Sequence, residues 1–128
     1  MKLQLMPIVC VSNVEKSIEF YTKLGFKTKT STRAWTELEN SESVFGTYIN
    51  AELENDESVF ELQLDSARAS KTSSGVMISF KTDEKLENIK TQLEVAGILT
   101  MDIVDHAFGW TITIPDPDGL QIQIIGHE

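Results

Sequence analysis

Near its start the chain reads Ile8-Val-Cys-Val-Ser-Asn-Val-Glu-Lys-Ser-Ile-Glu-Phe-Tyr-Thr-Lys-Leu-Gly-Phe26. Branched apolar residues open the stretch and favour a buried strand over roughly Leu5 to Val11. Ser12 or Asn13 can then cap a helix, and Ser12 with Glu15 has capping-box spacing. Val14, Ile18, Tyr21 and Leu24, with Phe20 beside them, mark the apolar side of that helix. Gly25 stands where a left-handed residue ends a helix, and Phe26 begins the next strand.

The plan returns in the second half. Val76–Lys81 reads as a strand, Thr82 or Asp83 as a cap, Leu86, Ile89, Leu93 and Ala96 as a helical stripe, and Gly97 as its stop. Further strands are expected at Phe26–Ser31, Trp35–Leu38, Gly46–Ala51 and Val59–Leu64, then at Leu99–Val104, Trp110–Ile114 and Leu120–Ile125. The last two form a hairpin about Asp116-Pro117-Asp118-Gly119, where Pro and Gly serve the turn. Ser66 to Ser74 is small and polar. It suggests one domain, residues 1–128, of two modules, roughly 1–66 and 75–128, joined by a linker over 67–74. The class is α+β, with the order βαβββ used twice.

Both quoted motifs and the paired βαβββ plan resemble the vicinal oxygen chelate superfamily, the glyoxalase/bleomycin resistance protein/dioxygenase family, over the whole chain. The resemblance implies that the two modules curl into a half-open mixed β-barrel around a ligand cavity. It also implies a homodimer, because a second subunit often completes that cavity.

Composition narrows the partners. The chain has 128 residues and a net charge of −9, ordinary in size and hydrophobic content for a folded domain. All of the imbalance lies between Ala34 and Ala67, which holds nine acids and no Lys or Arg. Nucleic acid and anionic membranes are poor partners for such a chain, whereas a cationic ligand would be steered inward. No charged segment followed by a long apolar run and a cleavage site occurs, so the cytoplasm is the expected location. One cysteine, Cys10, excludes an internal disulfide. Phosphate-loop, nucleophile-elbow and paired-cysteine motifs are all missing.

Strand alternation and the family register assign side chains to the cavity. Met6, Ile8 and Cys10 are expected there from the first strand, and Glu61 and Gln63 from the last strand of the first module. Val76, Ile78 and Phe80, with Gln121 and Gln123, are expected from the second module. His106 precedes Phe108-Gly109-Trp110, in a loop that the resemblance places at the cavity mouth. Trp35, Tyr48, Phe80, Phe108 and Trp110 offer flat surface for a planar ligand, although strand aromatics are also ordinary core.

Metal-using relatives hold a divalent ion with four cavity ligands, usually His and Glu. The resemblance puts those positions on Met6, Glu61, Val76 and Gln123, of which only Glu61 has a ligand-type side chain. No cofactor is therefore expected; a divalent metal would require a different register. The leading expectation is a metal-free protein that binds, and thereby sequesters, a cationic or aromatic antibiotic-like molecule. The alternative is an enzyme of the same superfamily, of lyase, isomerase or dioxygenase type. It would be metal-dependent or would use Glu61, desolvated in an apolar lining, as general base. A pure interaction module is the third class.

Overall fold

The computed structural model describes residues 1–37, 44–69, 78–106 and 109–127. The chain divides into two compact units, Met1–Lys71 and Thr72–Glu128. The first contains β1 (Ile8–Val11), α1 (Val14–Lys23), β2 (Lys27–Glu37), β3 (Val44–Glu54), β4 (Val59–Leu64) and a short α2 (Ser66–Ala69). The second contains β5 (Ile78–Lys85), α3 (Leu86–Val95), β6 (Val104–His106), β7 (Gly109–Pro115) and β8 (Gln121–His127). Each unit builds one four-stranded mixed sheet, ordered β1-β4-β3-β2 and β5-β8-β7-β6. In both, the first strand runs parallel to the last and the other pairs are antiparallel. The α+β class and the twofold use of βαβββ are as expected from the sequence.

In the first unit Val9, Val11, Ala51, Leu53, Phe60 and Leu62 are buried together with Val14 and Tyr21 of α1. Tyr21 meets Phe60 edge-on, ring centres 5.0 Å apart, and Phe26 meets Phe60 at the same distance. Edge-to-face contact places the positive ring rim against the neighbouring π face. These contacts fix which side of β4 faces the helix. In the second unit Leu86 and Leu93 of α3 are buried with Ile112, Ile114, Ile122 and Ile124. A β-carbon built on Gly126 would come within 2.9 Å of Leu86 Cδ2 and 2.9 Å of Thr82 Cγ2. Only a residue without a side chain lets β8 approach the start of α3 this closely.

Both helices end in one way. Gly25 and Gly97 have φ of +98° and +78°, and an added β-carbon at either meets nothing within 4 Å. Conformation, not space, requires glycine there. Phe26 N donates to Tyr21 O at 3.1 Å and Gly25 N to Thr22 O at 3.0 Å; Ile98 N and Gly97 N repeat the pattern onto Leu93 O and Glu94 O. This is the Schellman arrangement, with buried Phe26 and Ile98 as its apolar clasp.

Several boundaries differ from expectation. Asn13 is the N-cap of α1, its Oδ1 accepting from Lys16 N at 3.0 Å, so the Ser12–Glu15 capping box does not form. The strands expected at Phe26–Ser31 and Trp35–Leu38 are one strand, β2, because Thr32-Arg33-Ala34 contains no turn former and register shifts keep it paired to β3. Beyond one shift, Arg33 lies 4.0 Å from the centre of the Tyr48 ring and 4.0 Å from Glu15 of α1. The strand β5 continues through Thr82 and Asp83 to Lys85, which is the N-cap of α3 and makes no side-chain capping bond. The strand expected at Leu99–Val104 is reduced to Val104–His106, preceded by a single ladder-like bond from Met101 N to Thr113 O at 3.4 Å. At the start, β1 begins at Ile8 and not Leu5: Pro7 accepts from Glu61 N at 2.9 Å but has no N–H to give, and β4 begins at Val59, opposite Met6 in the parallel register, so the residues before Met6 extend past its end. Among the described residues no helix is long and apolar enough to cross a membrane.

Candidate ligand-binding faces

Each sheet has one face against its helix and one turned away. In the first unit the away face carries Ile8 and Cys10 from β1, Glu61 and Gln63 from β4, and Asn50 and Glu52 from β3. The register aligns them in two rows: Ile8 beside Glu61 beside Glu52, and Cys10 beside Gln63 beside Asn50. The Lys29 ammonium lies 3.5 Å from Glu52, whereas Glu61 makes no ion pair among the described residues. Glu61 is half-buried, Gln63 exposed and Cys10 half-buried. Period-two alternation thus brings Ile8, Cys10, Glu61 and Gln63 to one surface. Asn50 and Glu52 were missed, although Asn50-Ala-Glu-Leu-Glu54 alternates polar and apolar and carried the signal. Met6, placed in the same set, precedes the strand and is exposed.

The second unit divides the remaining residues differently. Gln121 and Gln123 are turned away from α3, as alternation requires when Ile122 and Ile124 are buried. Ile78 and Phe80 are not on that face. Ile78 pairs with Ile122 and Phe80 with Ile124, so both lie on the α3 side, and the residues beside Gln123 and Ile125 are Ser79 and Lys81. The expected register is one residue off. Burial explains why: Ile78 and Phe80 are half-buried, while Ser79 and Lys81 are exposed and better suited to water. Trp110 shares the α3 side through its pairing with Gly126. His106, exposed, pairs with Gly109 at the edge strand, on the same sheet face as Thr111 and Gln123 but in a different row. Val76, Phe108 and the side chain of Trp35 lie outside the described residues.

The strand neighbours of Glu61 and Gln123 set which donors an ion would meet there. Beside Glu61 stand Ile8, which has no donor atom, and Glu52, whose carboxylate lies 3.5 Å from the Lys29 ammonium. Beside Gln123 stands Ser79, a neutral hydroxyl already bonded to the Gln123 amide. Neutral oxygens are weak replacements for the carboxylates and imidazoles such ions prefer. Among the described residues no group of three or more His, Cys, Asp or Glu could hold a metal.

Comparison with known proteins agrees with this architecture. The sequence profile of the Glyoxalase/Bleomycin resistance protein/Dioxygenase superfamily matches residues 4–124. The chain belongs to that family, whose fold is the vicinal oxygen chelate fold. Among solved structures, a bleomycin-binding protein in complex with bleomycin superposes with a TM-score of 0.70 at 17% identity, covering 99% of this chain and 100% of that one. The fosfomycin resistance protein FosX from Listeria monocytogenes gives 0.73 at 8% identity, over 100% and 95% of the two chains. A glyoxalase family protein from Enterococcus faecalis gives 0.70 at 20% identity, over 97% of each. Identities this low speak for the fold alone. No curated protein matches the sequence.

Proposed function

We propose that the protein binds a small cationic organic molecule of the bleomycin type, without a metal ion, and removes it from solution by sequestration. The carrying observation is the row Ile8–Glu61–Glu52: two carboxylates on one away-facing surface, of which Glu61 has no ion pair among the described residues. A half-buried carboxylate without a partner favours a cation arriving from solution. The bleomycin-bound structure of similar fold supports ligand binding in the family. Exposed apolar side chains, Leu3 and Leu5 at 86% and Leu99 at 78%, support a homodimer that covers them.

Calorimetric titration with bleomycin, alongside thermal unfolding of chelator-stripped protein with Ni²⁺, Zn²⁺, Mn²⁺ and Fe²⁺, tests this reading. Bleomycin at about 100 times its dissociation constant should add about 2.7 kcal/mol of stability. Glu61→Gln should weaken binding about tenfold, roughly 1.4 kcal/mol. Stabilisation by one equivalent of a metal ion would replace this reading with a metal-dependent one. The unpaired Glu61 also favours a second reading, in which it is a general base. Turnover that Glu61→Gln abolishes while ligand affinity survives would select it.

A further inference from the structure

An unpaired strand edge offers a row of free N–H and C=O groups, which folded chains blunt with charge, brevity or proline. Most edges described here are blunted in this way. β2 carries Lys27, Lys29 and Arg33, and β5 carries Lys81, Asp83, Glu84 and Lys85. β1 has four residues and β6 three. Beyond β6, β7 ends in Pro115, and Thr113 O accepts from Met101 N. β3 is the exception. It pairs with β2 over Val44–Glu54 but with β4 only over Asn50–Glu54, so among the described residues Val44–Ile49 has a strand on one side alone. Although nine acids crowd Ala34–Ala67, residues 43–51 carry no charge. Ile49, left over by the register shift between Thr32 and Arg33, is 38% exposed. The Arg33 guanidinium, over the Tyr48 ring and near Glu15, fastens the base of this two-stranded ribbon to α1.

We propose that the open edge of β3 over Val44–Ile49 is where a second copy of this chain pairs, strand against antiparallel strand, to form the homodimer. That a dimer forms rests on the reading above; its place on β3 does not depend on any ligand. A twofold axis normal to the sheet runs the two strands antiparallel and sets one residue opposite its own copy. With the axis at Gly46, Val44 faces Tyr48 of the copy and Phe45 faces Thr47. These are the aromatic and β-branched pairs that stabilise sheets. A net charge of −9 opposes self-association, and an uncharged strand meets the least of that repulsion. Pairing consumes the open edge of each copy, while Lys27, Lys29 and Arg33 guard the far side of β2, so the assembly closes at two.

Analytical ultracentrifugation of the full chain, paired with amide hydrogen exchange read residue by residue over 44–49, tests this. Every second amide of the stretch turns away from β2, and in the dimer these amides should be protected from exchange. Thr47→Lys adds the kind of charge that β2 and β5 already carry and should abolish the dimer, whereas Thr47→Val should keep it. A dimer whose outward amides exchange as fast as unpaired backbone overturns the proposal. The homodimer reading then stands, with its contact at another surface such as that of Leu3 and Leu5. A folded Thr47→Lys protein that is still dimeric overturns it in the same way. A chain that stays monomeric at every concentration overturns the proposal and the homodimer together. Because the exchange measurement uses the unaltered chain, it decides the matter even where Thr47→Lys does not fold.

Discussion

Asp116 is 5% exposed, and its Oδ1 accepts from Asp118 N at 2.9 Å and from Leu120 N at 2.8 Å. The carboxylate therefore holds the β7–β8 hairpin by satisfying two backbone donors. Asn55 does the same work in the first unit, its Oδ1 accepting from Glu57 N and Ser58 N at 2.9 and 2.7 Å. Removing the Asp116 acceptor leaves two N–H groups of a partly buried turn unpaired. Asp116→Ala should cost about 1–3 kcal/mol in denaturant unfolding, and Asp116→Asn, which keeps an oxygen, clearly less. Ser17 is the opposite case. It is 0% exposed, lies in the Val14–Tyr21 stripe of α1, and its hydroxyl has no hydrogen-bond partner among the described residues. Ser17→Ala should leave stability unchanged or raise it by up to roughly 1–3 kcal/mol, since the isolated hydroxyl is desolvated without return.

The helices show where reading residues in order succeeds. Gly25 and Gly97 were identifiable as stops because a left-handed residue after an apolar stripe leaves few candidates, and both take that conformation. Replacing either with Ala should cost about 1–2 kcal/mol, a loss that Asn should partly recover. Asn13→Ala should likewise cost about 1 kcal/mol through the lost cap. The start of α3 is weaker: Lys85 is its N-cap, extended at φ −68° and ψ 134°, and supplies no capping oxygen. Lys85→Asp should stabilise the protein by up to about 1 kcal/mol, read by thermal unfolding. That same end was misplaced in the sequence because Thr82 and Asp83 are good caps by type. The Thr82 hydroxyl instead accepts from Glu84 N at 3.1 Å, inside a strand whose pairing shifts after Lys81 and resumes at Lys85. The first unit's away face was legible because Phe60, Leu62, Val9 and Val11 all demand the helix side. The β5 face was not, because the family register puts Ile78 and Phe80 toward the cavity, whereas their pairing with Ile122 and Ile124 turns them to α3.

Charge belongs to the chain as a whole. A net −9 that arises entirely between Ala34 and Ala67 concentrates its field on β3, β4 and their surroundings. Bleomycin affinity should accordingly fall between 0.1 and 1 M salt, where the screening length drops from about 10 to about 3 Å. A salt-independent affinity in titration calorimetry would mean that contact surface, not charge, governs capture. The division into Met1–Lys71 and Thr72–Glu128 has an optical consequence as well. Each unit owns one tryptophan, Trp35 on β2 and Trp110 on β7. Trp35→Phe leaves a fluorophore that reports only the second unit, and Trp110→Phe one that reports only the first. The emission of the two variants, followed through a single denaturant gradient, therefore times the melting of each half against the other, with no foreign label on the molecule.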